Sequence, residues 1–232
     1  MGCSSSKTTP SEERAAIIAE SGLLFQSKDA SWVDSTIRKF ATEQKLSHCQ
    51  LEKAAKVLEV KVSNYDKHTK ILEMLQKLKE AEDYHTKDIL VLGILLGKGS
   101  PSLKAELIYQ AFNSENSIHI GKLKSEVLQT LCKVSVNLCS LVSSNQSVIS
   151  NEMKNLKYIE NLKGVMTMGI NRLAEKMTHS GLMITQKNFV ETMSSYKGGA
   201  LTSSSGLRSF LYEIYTSNPR RKAWSNPYKL KS

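Results

Sequence analysis

Prolines are nearly absent from the interior of this chain, and this scarcity limits the folds that it can adopt. Between Pro10 and Pro219 only Pro101 interrupts the sequence. Proline breaks helices, so a long segment with one proline, rich in leucine, lysine, glutamate and alanine, favours helices. β-branched residues are scattered rather than clustered in alternating runs, so strands are not indicated. The sequence therefore predicts an all-α fold, and 232 residues suffice for one sizeable core or two small helical lobes.

Apolar residues at helical spacing divide this interior into successive helices. Ser47 and Ser100 are suitable N-terminal caps, and Pro101 would occupy the first position of the helix that follows Ser100. Helices are predicted at about 11–25, 29–40, 48–58, 65–80, 87–96, 101–112, 121–143, 148–177, 186–196 and 207–215. The segment 197–206, KGGALTSSSG, is predicted to be a flexible linker because of its glycine and serine content.

The formal net charge of +10 implies an acidic partner, although a basic protein without a specific partner would show the same charge. Outside the C-terminal tail the few aromatic residues are not interleaved with basic ones, so nucleic acid is not expected. The four cysteines form no C-x-x-C pair, and Cys132 and Cys139 are spaced for packing on one helix face. The longest apolar run, Ile89 to Leu96, is too short to cross a bilayer and predicts a buried helix.

Catalytic and metal-binding patterns are not evident in the sequence. The five histidines are scattered at spacings that build no metal-binding face. The glycines form no phosphate-binding loop, and the serines have no nucleophile-elbow context. We therefore predict a protein that is not an enzyme and has no cofactor.

The N-terminus, Met1-Gly2-Cys3-Ser4-Ser5-Ser6-Lys7, fits the pattern for myristoylation of Gly2 after removal of Met1. Cys3 is a candidate for palmitoylation. A single myristoyl chain binds membranes only marginally, and a second chain or a basic residue such as Lys7 makes the attachment stable. The alternative interpretation is an unmodified polar leader. The sequence predicts dual acylation at Gly2 and Cys3.

The C-terminal tail combines basic and aromatic side chains without any acidic residue. This composition suits an anionic lipid surface or an acidic groove on a protein, and the alternative is a solvated end. The predicted contact residues in the tail are Arg220, Arg221, Lys222, Trp224, Tyr228, Lys229 and Lys231.

Four helix–loop–helix units can be recognised, each with an apolar residue late in the loop and another about five residues further on. These pairs are Leu46 and Leu51, Tyr84 and Ile89, Ile118 (or Ile120) and Leu123, and Ile184 and Phe189. With these units the chain, from about residue 30 to 215, resembles the EF-hand superfamily, especially recoverin-like neuronal calcium sensors and calcineurin B-like proteins. The resemblance is clearest in DILVLGILLGKGSPSLKAELIYQAFNSENSIHIGKLKSEVLQTL and in MTHSGLMITQKNFVETM. It implies paired helix–loop–helix units in two lobes.

The calcium ligands that this resemblance would require are mostly missing. A working loop needs oxygen ligands at positions 1, 3 and 5, glycine at 6 and glutamate at 12. With Ile120 at position eight, the third loop offers Asn113, Glu115 and Ser117, but it has isoleucine in place of the glycine and Lys124 at the end. With Ile118 at position eight the loop begins at Ala111, which is no better as a source of calcium ligands.

The other loops retain still fewer of the calcium ligands. The second keeps only Asp88 at its last position, and the first and fourth end in Gln50 and Asn188. We therefore expect these loops not to bind calcium, with Asn113, Glu115, Ser117 and Asp88 as remnants of former ligand positions.

These observations predict an acylated leader at 1–10, EF-hand-like lobes at 11–99 and 100–216, and a basic, aromatic tail at 217–232. The first functional hypothesis is a cytoplasmic adaptor that acylation holds at an anionic membrane and that binds a partner protein or partner helix. The second is a structural component docked on an acidic cytoskeletal assembly such as the tubulin of a ciliary axoneme. A third, a calcium-regulated sensor, is disfavoured by the loops.

Overall fold

A computed structural model of the chain describes residues 9–63, 70–142, 149–178 and 181–218, with the side chains of 149–153 excepted. The described part of the chain is mostly helical and contains two small antiparallel sheets. The predicted helical class is therefore correct at the coarse level. Within the described residues, no helix combines the length and the apolar character that spanning a membrane requires.

The first half of the chain contains five helices and three short strands among its described residues. In order these are α1 (Ser11–Ser21), α2 (Ala30–Phe40), β1 (Lys45–Leu46), α3 (His48–Leu58), α4 (Ile71–Gln76), β2 (Lys79–Glu80), β3 (Asp83–His85) and α5 (Thr86–Leu96). A 3₁₀ turn, Phe25–Ser27, lies between α1 and α2. The predicted cap of α3 is confirmed: the backbone N–H of Gln50 donates to Ser47 Oγ at 3.3 Å, and the Gln50 side chain accepts from the Ser47 N–H at 2.8 Å.

The second half is built mainly from longer helical segments. They are α6 (Pro101–Phe112), β4 (Ser117–His119), α7 (Ile120–Lys122), which continues through a π-helical turn (Leu123–Leu128) into α8 (Gln129–Asn137), then α9 (Ile149–Met177), β5 (Met183–Thr185), α10 (Gln186–Ser195) and α11 (Ser204–Ser217). A 3₁₀ turn, Leu138–Leu141, follows α8. The cap at Ser100 is confirmed by a hydrogen bond from the Leu103 N–H to Ser100 Oγ at 3.2 Å.

The short strands are a feature that the sequence did not predict. One sheet has the order β1-β3-β2, and the other pairs β4 with β5. Each strand has only two or three residues, which is too short for an alternating pattern to be visible in the sequence. The helix predicted at 65–80 was wrong at its end, because Lys79–Glu80 forms a hairpin with Asp83–His85 and Ala81 adopts a left-handed conformation (φ 56°) between them.

The flexible linker predicted at 197–206 was also wrong. The segment contains two 3₁₀ turns, Tyr196–Gly198 and Ala200–Thr202, and its last residues belong to α11. Leu201 and Thr202 are buried, and the Thr202 hydroxyl donates to the Gly199 carbonyl at 2.8 Å. The composition resembles that of a linker, but the leucine packs into the core and the hydroxyls bond to the backbone.

One cluster of buried apolar side chains extends through both halves of the chain. Residues 89–95 of α5 are all buried, as predicted from the apolar run. Cys132 and Cys139 are buried free thiols, which confirms that they pack in the core. Burial raises the pKa of both thiols to about 12.

Lys104 of α6 carries a buried amine. Its Nζ donates to the carbonyl oxygen of Leu95 at 2.8 Å, near the C-terminus of α5, where a helix leaves carbonyl groups without intrahelical partners. Burial lowers the pKa of Lys104 from 10.5 to about 8. The folded protein therefore holds this proton less tightly than the unfolded chain does.

This difference predicts a distinctive pH dependence. Between pH 8 and 10.5 the unfolded chain binds more protons at Lys104, so its contribution to the free energy of unfolding rises with pH. Compared with Lys104→Met, the wild-type protein should gain up to about 3 kcal/mol between pH 7 and 10.5. Urea unfolding of both proteins across this range measures the gain. Subtracting the free energy of unfolding of the variant from that of the wild type removes the titration of other groups. A difference that stays constant with pH would contradict the prediction.

Candidate functional site

The loops between the helices are joined in two pairs. Leu46 in the first loop lies opposite Tyr84 in the second, and Ile118 in the third lies opposite Ile184 in the fourth. All four side chains are at most 2% exposed. The backbone ladders and these buried side chains fix each loop against its partner. The apolar residues that the sequence singled out late in each loop are the ones that meet.

The pairing also distinguishes the two residues considered for the third loop. Ile118 is buried in β4, opposite Ile184, whereas Ile120 is only partly buried and begins α7. The loop alignment with Ile118 at the late apolar position is therefore the one that matches the other three loops. In this alignment Lys122, rather than Lys124, stands at the end of the loop.

The third loop is closed around the side chain of Asn113. Its amide nitrogen, Nδ2, lies 2.9 Å from the carbonyl oxygens of both Glu115 and Ser117 and 3.0 Å from the Tyr109 hydroxyl. Two of these three acceptors are backbone carbonyls of the loop itself. The Asn113 amide thus donates to oxygens that face into the loop and that would otherwise need a cation or a water molecule as their partner. The side chain of Glu115 is exposed.

Asp88, the remnant at the end of the second loop, forms an ion pair with a residue outside that loop. Its carboxylate is 6% exposed and accepts a hydrogen bond from Lys133 Nζ of α8 at 2.7 Å. The remnants Asn113, Glu115, Ser117 and Asp88 are thus not assembled into one site. Within the described ranges, no group of three or more histidine, cysteine, aspartate or glutamate side chains is placed to hold a metal ion.

A buried ionic cluster, which was not predicted from the sequence, joins the two ends of the described chain. Arg208 of α11 is fully buried and donates through Nε and Nη2 to the Glu13 carboxylate of α1, both at 2.8 Å. Its Nη1 donates to Glu20 at 2.5 Å and to the Ser135 carbonyl at 3.0 Å. The only signal in the sequence is that Glu13 and Glu20 lie seven residues apart, on one face of a helix.

Two hydroxyl groups complete this cluster. Tyr158 of α9 donates to Glu13, and Ser204 donates to Glu20, each at 2.8 Å. Burial, with Glu13 beside it, raises the pKa of Tyr158 well above its ordinary value. Burial acts to lower the pKa of Arg208, but Glu20 and Glu13 outweigh that effect and raise it. Helix α1, which follows directly on the predicted acylated leader, is thereby fixed to the C-terminal half of the protein.

The residues predicted to be acylated, or to contact a membrane or an acidic partner, lie outside the part of the chain that the structure describes. This holds for Gly2, Cys3 and Lys7 in the leader, and for Arg220, Arg221, Lys222, Trp224, Tyr228, Lys229 and Lys231 in the tail. They remain predictions from the sequence.

Comparisons of this protein with protein-family models, with curated proteins and with solved structures found no significant match.

Proposed function

We propose that this protein is a non-enzymatic, EF-hand-like adaptor that acyl groups hold at a membrane and that binds a partner protein without binding calcium. The observation that carries the proposal is the antiparallel pairing of the interhelical loops at Leu46–Tyr84 and Ile118–Ile184. It agrees with the paired helix–loop–helix units that the resemblance implies.

The loop contents support independence from calcium. A calcium loop presents converging oxygen ligands and closes with a bidentate glutamate. Here the third loop presents the Asn113 amide to its own carbonyls, and Asp88 of the second loop is bound to Lys133. The loops can therefore keep their folded geometry through hydrogen bonds that need no ion.

A calcium titration tests this part of the proposal. A site with a dissociation constant of about 10⁻⁵ M would stabilise the protein by about 2.7 kcal/mol at about 1 mM calcium. We expect the unfolding temperature to be the same with about 1 mM calcium and with chelator, and calorimetry to show no heat of binding. A calcium-dependent rise would instead favour the sensor hypothesis.

The membrane part of the proposal rests on Gly2, Cys3 and the basic tail, and a separate experiment tests it. Intact mass of the protein from its native cells should show loss of Met1, a myristoyl group on Gly2 and a hydroxylamine-sensitive acyl group on Cys3. Detergent should then release the protein from a membrane pellet, and Gly2→Ala should leave it unbound. An unmodified N-terminus, with the protein in a detergent-resistant cytoskeletal pellet, would favour the structural hypothesis.

A further inference from the structure

Helix α1 and the turn that follows it present apolar side chains to solvent. Among the described residues ten large apolar side chains are exposed, and three of them, Ile17, Ile18 and Leu24, lie within residues 17–24. Ile18 is 71% exposed. Leu24 is fixed to the end of the helix, since its N–H donates to the Ser21 carbonyl at 3.2 Å. Single exposed apolar residues are common on protein surfaces, whereas a group of them marks an interaction surface.

The buried ionic cluster determines which side of α1 faces solvent. Glu13 and Glu20 point into the protein, where both bind Arg208. At about 100° per residue, Ile18 lies roughly 140–160° around the helix from these two glutamates. Both glutamates would have to leave Arg208 before α1 could turn Ile18 towards the core. The cluster therefore keeps Ile18 on the outside of the protein.

The exposed side of α1 also carries a positive charge. Arg14 is exposed and lies one turn before Ile17 and Ile18 on the same side of the helix. Two of the three carboxylates of α1 are buried at Arg208, and the third, that of Glu12, lies about 120° around the helix from Ile18. A guanidinium group binds lipid phosphates, and apolar side chains beside it enter the boundary between headgroups and acyl chains. This combination fits an anionic lipid surface.

Helix α1 begins only a few residues after the predicted acylation sites. Cys3 precedes Ser11, the first residue of α1, by eight positions. Even a fully extended chain would keep Ser11 within about 28 Å of a bilayer that holds acyl chains on Gly2 and Cys3. A weak contact between α1 and that bilayer then becomes intramolecular, and the high effective concentration favours it.

We infer that the outer face of α1 lies against the membrane and sets the orientation of the protein there. This face consists of Arg14, Ile17, Ile18 and Leu24. The inference rests on the proposed function, because the acyl chains bring α1 to the bilayer. Acyl chains limit the distance between protein and membrane, whereas a face on a helix fixed to the core also determines which side of the protein remains open to a partner.

A protein held on vesicles without acyl groups tests the inference directly. The full chain, extended at its N-terminus by a hexahistidine segment, is captured on vesicles of phosphatidylcholine, phosphatidylserine and a nickel-chelating lipid. Since the chelating lipid replaces the acyl chains, the result does not depend on acylation in cells. The two native tryptophans are removed by Trp32→Phe and Trp224→Phe, so that one introduced tryptophan reports contact with lipid.

The reporter is Ile18→Trp, and the controls are Met168→Trp in α9 and Leu182→Trp in the fourth loop. Both control positions carry exposed apolar side chains. We expect brominated lipids to quench the fluorescence of Ile18→Trp at least two-fold more than that of either control. No quenching of Ile18→Trp would overturn the inference. Equal quenching at all three positions would also overturn it, by showing that no single side of the protein faces the lipid.

Affinity for the same vesicles, at a low density of chelating lipid, gives a second measurement. We expect Ile18→Gln to bind about ten-fold more weakly than the wild type and Leu182→Gln to bind equally well. Both side chains are exposed, so neither substitution should change the unfolding temperature. Equal affinity of Ile18→Gln and the wild type would contradict the inference. So would a loss that also occurs on chelating beads without lipid.

Failure of this inference can be distinguished from failure of the proposed function. Native protein that carries acyl groups, together with no quenching of Ile18→Trp, would keep the adaptor proposal and remove the α1 contact. Quenching of Ile18→Trp, together with an unmodified native N-terminus, would support the contact as a property of α1 and remove the acyl attachment.

Discussion

Replacing Arg208 with methionine is expected to lower the free energy of unfolding by about 3–5 kcal/mol. The guanidinium is the main partner of the Glu13 and Glu20 carboxylates, which are buried with it. Methionine fills a similar volume but leaves two buried carboxylates without an opposite charge. Urea unfolding monitored by circular dichroism measures the loss. Hydrogen exchange should also show that α1 loses protection first, because Glu13 and Glu20 attach this helix to α11.

The matched control is Arg172→Met, because Arg172 is an exposed arginine on α9. This substitution should change the free energy of unfolding by no more than about 0.5 kcal/mol, as most surface substitutions do. Adding Glu13→Gln and Glu20→Gln to Arg208→Met should recover part of the loss, since the unpaired charges are then gone. If Arg208→Met and Arg172→Met are equally stable, the ionic cluster does not hold α1 in place.

Replacing Gly206 with alanine is expected to destabilise the protein by about 3 kcal/mol, the upper end of the usual range for overpacking. A Cβ atom at this position would lie 1.8 Å from the carbonyl oxygen of Ala200 and 2.5 Å from its carbonyl carbon. Both atoms belong to backbone, which cannot rotate away as a side chain can. Gly206 lies in the first turn of α11, where helix propensity alone would favour alanine by up to about 1 kcal/mol. Overpacking and helix propensity therefore predict changes in stability of opposite sign, and thermal unfolding shows which effect is larger.

Gly164→Ala is the control for this substitution. Gly164 lies within α9, and among the described residues no heavy atom outside the neighbouring helix backbone is within 4 Å of an added Cβ atom. This variant should be stabilised by about 0.5–1 kcal/mol. If Gly206→Ala is stabilised as well, the backbone at 197–206 moves freely, as the sequence-based prediction of a flexible linker requires.

Local patterns in the sequence determined most of the helices and their starting points. Ser47 and Ser100 cap their helices as predicted, and residues 89–95 are buried as predicted. These features depend on residues within one or two helical turns, where side-chain spacing and capping hydrogen bonds act directly. The apolar residues late in the loops were visible for the same reason. Their short strands were not, because two or three residues carry no periodic signal.

Only the tertiary structure decided how distant segments meet. Arg208 binds Glu13 across 195 positions of sequence, and Ser204 binds Glu20 across 184. The segment 197–206 has the composition of a linker, yet the burial of Leu201 and Thr202 holds it in place. Composition and periodicity describe how a residue interacts with its neighbours along the chain. Burial, charge pairing and backbone collisions depend on contacts that exist only after the helices have packed.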